Sequence, residues 1–155
     1  MLEIGSGGGR WTRYMVAAHR IICVDLNPEF FEVLTTRFPK SKLDFYQPRD
    51  CELDGIVDSS VDFMFTFGTF VHIDPEGIVQ YLAHIRRVLK PQGIAVIHYA
   101  EKNKPAARDN PNFSDMTAEK MMAMAPMPIV ADETRLLKHS NIVVFQKDGD
   151  RSTMP

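Results

Sequence analysis

Apolar positions along the chain fall into two kinds of run, and the two kinds alternate. Short, mainly apolar stretches occupy residues 2–4, 21–24 and 43–46, with Glu3 in the first, Asp44 in the third and the second wholly apolar. Two longer ones follow at 61–67 and 94–99. Their lengths predict strands, and the wholly apolar run 21–24 predicts a sheet covered on both faces. Between them apolar residues recur at spacings of three and four, the pattern of an amphipathic helix. Such spacing holds over 10–18 (Trp11, Tyr14, Met15, Ala18), 28–38 (Phe30, Phe31, Val33, Leu34, Phe38) and 75–89 (Ile78, Leu82, Ile85, Val88, Leu89). The punctuation agrees. Asn27-Pro28 and Asp74-Pro75 are helix starts, Pro39 is a stop, and Lys90-Pro91-Gln92-Gly93 is a stop and turn.

Residues 48–60 are polar and turn-rich and read as irregular, with Ile56 and Val57 tucked inward. Residues 101–116, rich in Asn, Pro and Asp, read as a long loop, and 117–125 as a short Met-rich helix. Residues 129–135 and 141–147 read as two strands joined by a short turn, with a frayed tail over 148–155. Strands alternating with helices imply a parallel sheet with right-handed crossovers. The last two strands have no helix between them and must be antiparallel. The expectation is one α/β domain over residues 1–147, a Rossmann-like doubly wound sheet that is mostly parallel with a C-terminal antiparallel hairpin. A length of 155 residues suits a single core of this kind.

The chemistry sits first at the turn after the first strand. Glu3 ends that strand, and glycines follow at Gly5, Gly7 and Gly9; a later strand, 21–24, ends at Asp25. Strand, glycine turn, helix, strand, acid is the form of a nucleotide-binding βαβ unit. A carboxylate at the second strand end suits the two neighbouring hydroxyls of a ribose. A dinucleotide fingerprint needs a glycine at the sixth position of the turn, where this chain has Arg10.

The acid-x-Gly-x-Gly-x-Gly run of Glu3 to Gly9 resembles the first motif of the class I S-adenosylmethionine-dependent methyltransferases. Val61-Asp-Phe-Met-Phe65, preceded by Asp58-Ser-Ser60, is similar to that family's fourth strand, and Arg87-Val-Leu-Lys-Pro-Gln-Gly93 to its signature before the fifth. Gln92 stands where the family commonly has a first glycine, a departure expected to be harmless because Gly93 is kept. The resemblance implies S-adenosylmethionine as cofactor. Gly5, Gly7 and Gly9 would line its methionine end and Glu3 would hold its amino group. Asp25 would take the ribose hydroxyls, with Leu26 beside the adenine; Asp50 and the backbone of Cys51 would meet the adenine edge. Phe67 and Gly68 would meet the sulfonium. Thr66 to Asp74 resembles the small-molecule, glycan and natural-product O-methyltransferases, so the implied partner is a small-molecule or sugar hydroxyl. Family members normally carry a helix ahead of the first strand. The chain begins at that strand, which leaves a lost N-terminal part or a minimal member as the two readings.

Ligands bind outside the carboxyl ends of such strands, so a general base is sought after strands four and five. His72 is the leading candidate, with Asp74 as its orienting carboxylate. His98, Tyr99 and Glu101 are weaker candidates, and His139 in the hairpin turn reads as structural. No spacing motif calls for a metal. Net charge is −2 without a basic block, so neither nucleic acid nor a membrane surface is an expected partner. The N-terminus lacks a basic-then-apolar leader, and Cys23 and Cys51 have no pairing pattern. A reduced, cytoplasmic protein is expected. Two further readings remain open: a truncated, non-catalytic methyltransferase-like binding domain, and an NAD(P)-dependent oxidoreductase on the same architecture.

Overall fold

A computed structural model of the chain describes residues 1–149. The expected frayed tail falls, for residues 150–155, outside them. Seven strands form one sheet: β1 (Leu2–Ile4), β2 (Ile21–Val24), β3 (Leu43–Tyr46), β4 (Val61–Thr66), β5 (Leu89–Ala100), β6 (Ile129–Glu133) and β7 (Ser140–Gln146). Their order is β3-β2-β1-β4-β5-β7-β6. The first five run parallel, and β7 is antiparallel to both β5 and β6. The expected α/β class and closing hairpin are the ones observed. β1 lies between β2 and β4, so the chain reverses its direction of winding there. A crevice opens at such a switch point above the strand ends.

Helices α1 (Glu29–Arg37) and α2 (Pro75–Val88) occupy the predicted stretches. Ile78, Leu82, Ile85 and Val88 of α2 pack with Leu2, Ile4, Met64 and Ile97 of the sheet in the main core. A smaller cluster, Met15, Ile21, Cys23, Leu34 and Leu43, holds α1 on the sheet. Two short helices follow β5, α3 (Pro105–Arg108) within the polar insert and α4 (Ala118–Ala123). Thr117 caps α4, its side chain accepting from the Lys120 N–H.

Val57, expected to tuck inward beside the buried Ile56, is 73 % exposed, and two further expectations need correction. Residues 10–18 form no α-helix; the segment holds a single 3-10 turn, Thr12–Tyr14, with successive i to i+3 bonds from Tyr14 to Trp11 and from Met15 to Thr12. A spacing of three satisfies a 3-10 turn as well as an α-helix. The Thr12 hydroxyl, moreover, donates to the buried Glu3 carboxylate and pins the segment to β1.

The second concerns residues 90–93. They bulge within β5, whose pairing to β4 jumps from Val61–Leu89 to Phe63–Ile94. Gln92 adopts φ +65° there, a left-handed backbone that costs a side-chain-bearing residue about 1–2 kcal/mol. The missing glycine is therefore not neutral. Gln92→Gly is expected to raise stability by about 0.5–1 kcal/mol once the greater freedom of glycine in the unfolded chain is deducted. The midpoint of a urea titration measures it.

Candidate functional site

The glycine turn is tied down before any ligand arrives. The N–H groups of Gly5 and Ser6 both donate to the Val24 carbonyl, at 2.8 and 3.3 Å, which fastens the turn to the end of β2. Gly5 has φ +77°, and a Cβ there would run into the Thr69 side chain. Gly9 has φ +82°, and its Cβ would enter the space of Phe38 and Leu34 at the end of α1. Neither position accepts another residue without moving a neighbouring element.

Asp25 is fixed from two sides. Its Oδ2 accepts the Gly7 N–H at 2.8 Å, and its Oδ1 accepts the Asn27 N–H at 3.0 Å. Each oxygen keeps a lone pair for a further donor. Beside it opens a cleft of about 410 Å³, within the size range of small-ligand sites. Ile4, Val24, Leu26 and Ile73 give it apolar walls, and Gly5, Asp25, Asp50, Cys51, Thr69 and His72 complete its rim. The irregular segment after β3 thus brings Asp50 and Cys51 to the same cleft as Asp25 and Leu26. Burial pushes the Cys51 thiol up to about 11, so it is a neutral wall residue rather than a nucleophile.

The other predicted site residues do not line this cleft. Glu3 lies beneath the turn, 2 % exposed, and accepts the Thr12 hydroxyl at 2.6 Å. Burial raises its carboxyl to about 7, against the opposing pull of the Thr12 hydrogen bond. Gly7 and Gly9 serve the turn itself. Phe67 stacks on the His98 ring with centroids 3.9 Å apart, and the Gly68 N–H donates to His98 Nδ1 at 3.0 Å. Among the described residues the buried Ser6 hydroxyl, inside the glycine turn, has no hydrogen-bond partner.

His72 stands on the cleft wall, in a 3-10 turn, Phe70–His72, that follows β4. Its Nδ1 meets the Asn112 carbonyl at 2.7 Å. A carbonyl only accepts, so Nδ1 carries a proton, and in the neutral ring Nε2 presents a lone pair. The expected partner, Asp74, makes no ion pair or hydrogen bond with His72 among the described residues. It sits at the N-cap of α2, where its carbonyl accepts from Ile78. The orienting group is Asn112, forty residues away in the insert, and nothing local in the sequence signals it.

His98, a weaker candidate in the sequence, and His139, expected to be structural, lie next to it together with Ser140, which the sequence does not signal. His98 is buried, with Nε2 at 2.6 Å from the Ser140 hydroxyl, which in turn lies 2.8 Å from His139 Nδ1. Burial lowers the His98 pKa to about 4, so the ring is neutral. Its inward side is what strand alternation allows at that position. Its partners on β7 are not visible without the pairing of β5 and β7. No three His, Cys, Asp or Glu side chains converge as a metal set among the described residues.

Comparison with known proteins bears on this arrangement. Residues 1–93, which carry the glycine turn, Asp25, the cleft and α2, match the family model described as a methyltransferase domain. The chain belongs to this methyltransferase family. An uncharacterised methyltransferase-like protein of Schizosaccharomyces pombe is 33 % identical over 100 residues, covering 60 % of this chain. The chain spans about a third of that protein's length, 35 %. An S-adenosylmethionine-dependent methyltransferase of Mesorhizobium loti superposes with a TM-score of 0.79 at 11 % identity, over 94 % of this chain and 89 % of its own. The 1,6-didemethyltoxoflavin-N1-methyltransferase of Burkholderia thailandensis, solved with S-adenosylhomocysteine, gives 0.65 at 26 % identity, over 95 % and 70 %. In this chain the β1 turn and the end of β2 meet at the switch point of the sheet.

Proposed function

We propose that this chain is an S-adenosylmethionine-dependent methyltransferase acting on the hydroxyl of a small molecule or sugar. The observation that carries the reading is the pair of groups facing one cleft. Asp25 is anchored with lone pairs to spare, and His72 has its Nε2 free of protons. The residues fit the cofactor. The apolar walls suit a flat base, Asp25 suits a ribose diol, Asp50 borders the same slot, and Ser6 holds an unpaired hydroxyl in the turn. When bound, S-adenosylmethionine supplies a methyl group to the acceptor oxygen and leaves as a neutral thioether, so no acid is needed. His72 Nε2 takes the hydroxyl proton as the oxygen becomes a nucleophile, and the Asn112 carbonyl stabilises the resulting imidazolium through Nδ1–H. Glu3, under the turn, is the carboxylate available to the cofactor's amino group.

Two free thiols, Cys23 and Cys51, fit a reducing compartment such as the cytoplasm. Among the described residues no helix is long and apolar enough to cross a membrane. A nitrogen acceptor is the second reading, favoured by the N1-methyltransferase among the structural neighbours. Calorimetric titration with S-adenosylhomocysteine, against NADH as control, tests the cofactor. Micromolar binding of the former alone supports the proposal, and binding of NADH alone replaces it with an oxidoreductase. Once an acceptor is in hand, His72→Gln is expected to lower kcat roughly a hundredfold with S-adenosylhomocysteine affinity kept within about twofold. Mass spectrometry of the product separates oxygen from nitrogen methylation.

A further inference from the structure

The Gly68 N–H fixes the direction of a whole hydrogen-bond chain. A backbone amide only donates, so His98 Nδ1 has to accept at 3.0 Å, and the proton of the neutral His98 ring lies on Nε2. That proton goes to the Ser140 oxygen at 2.6 Å. The Ser140 hydroxyl hydrogen is then directed to His139 Nδ1 at 2.8 Å. His139, accepting there, carries its own proton on Nε2 as an outward donor. Burial of His98 and Ser140 and the stacking of Phe67 on His98 keep the chain in register.

His139 and His72 both pack edge-on against Phe113, with centroids 5.3 and 5.8 Å from that ring. The two imidazoles are set in opposite senses. Asn112 makes His72 Nε2 an acceptor, whereas the Gly68–His98–Ser140 chain makes His139 Nε2 a donor. His139 is half-buried and His72 exposed, so both can be reached from solvent.

We infer that His139 is a specificity-determining residue on the acceptor side, and that the acceptor is a planar aromatic compound bearing both a hydroxyl and a second group that accepts a hydrogen bond. The hydroxyl donates to His72 Nε2 and the second group accepts from His139 Nε2–H, with the ring against Phe113, which both imidazoles meet edge-on. This rests on the methyltransferase reading and narrows its acceptor. A compound lacking the second group leaves the His139 N–H without a partner, which is the stronger route to discrimination.

Two measurements test it. Long-range 1H–15N correlation spectra of the whole chain at mildly alkaline pH read the tautomers directly. His98 and His139 should both be protonated on Nε2, and His72 on Nδ1. Ser140→Ala should leave His98 and His72 unchanged and let His139 drift to a mixture. A wild-type His139 protonated on Nδ1, or one indifferent to Ser140→Ala, overturns the inference.

The second is calorimetry in saturating S-adenosylhomocysteine. Methyl 3- and 4-hydroxybenzoate are compared with 3- and 4-ethylphenol, which keep the hydroxyl and lose the carbonyl. At least one ester should bind tenfold or more tightly than its ethylphenol, and His139→Phe should erase that difference without changing S-adenosylhomocysteine affinity. Equal binding of both esters and both phenols, or a difference that survives His139→Phe, overturns the inference alone. Failure of the wild-type chain to bind S-adenosylhomocysteine overturns the function beneath it, while the tautomer spectra still report on the relay.

Discussion

Asp25→Ala is expected to weaken S-adenosylhomocysteine binding roughly a thousandfold, about 4 kcal/mol, with the chain still folded. The figure follows from two hydrogen bonds to a charged group at about 1.5–3 kcal/mol each. The carboxylate is pre-set for them, because the Gly7 and Asn27 N–H groups hold its two oxygens at 2.8 and 3.0 Å. No side-chain ordering remains to offset the gain on binding. Loss of the same two contacts frees N–H groups at a half-exposed site, so stability should fall by only about 1 kcal/mol. Asp25→Asn is an informative second variant. Its amide nitrogen has to face one of the two N–H groups, so it should bind more weakly than the wild type by well over tenfold, although it is nearly isosteric. Calorimetry measures both affinities, and thermal unfolding measures both stabilities. An alanine variant that binds within tenfold of the wild type removes Asp25 from the site and with it the ribose assignment.

What was legible in the sequence is what the backbone dictates locally. Gly5 and Gly9 have left-handed φ values and crowded Cβ positions, so their residue type is forced, and their spacing shows it. Asp25 lies at the end of a strand whose four apolar residues announce it. The helix α2 carries its own start, stripe and stop. By contrast, the segment after the glycine turn was misread because apolar spacing of three suits two helix types. The 3-10 turn that forms is tied to β1 by a hydrogen bond from Thr12 to Glu3, a contact no local pattern encodes. The orientation of His72 depends on Asn112, and the state of His139 on Gly68, His98 and Ser140, which meet across about forty residues. Such contacts follow from strand order, with β7 placed between β5 and β6, and no local pattern encodes them. Asp74 is near His72 in sequence, yet it stands at the N-cap of α2 and makes no hydrogen bond to His72 among the described residues.

Glu3 links the fold to the cofactor through protons. Its carboxyl is raised to about 7 by burial, while in the unfolded chain it titrates near the ordinary value of 4.5. Between those two values the folded chain holds a proton that the unfolded chain has lost. Stability therefore falls as pH rises through this window, and the loss is complete above pH 7. A shift of this size corresponds to about 3 kcal/mol at one pKa unit per 1.36 kcal/mol. Glu3→Gln keeps the shape and cannot ionise. It should match the wild type near pH 4 and exceed it by about 3 kcal/mol at pH 8, as read by urea titrations across the range. A parallel pH dependence in the two proteins would mean that Glu3 titrates normally. The same group should answer to ligand. An ammonium placed beside Glu3 favours its ionised form, so binding of S-adenosylhomocysteine near pH 6.5 should release a proton. Calorimetry in buffers of different ionisation enthalpy counts that proton. Its presence in the wild type and absence in Glu3→Gln would put the amino group at Glu3. Equal proton release in both would place it elsewhere on the turn, and the buried carboxyl would then serve only to hold Thr12 against β1.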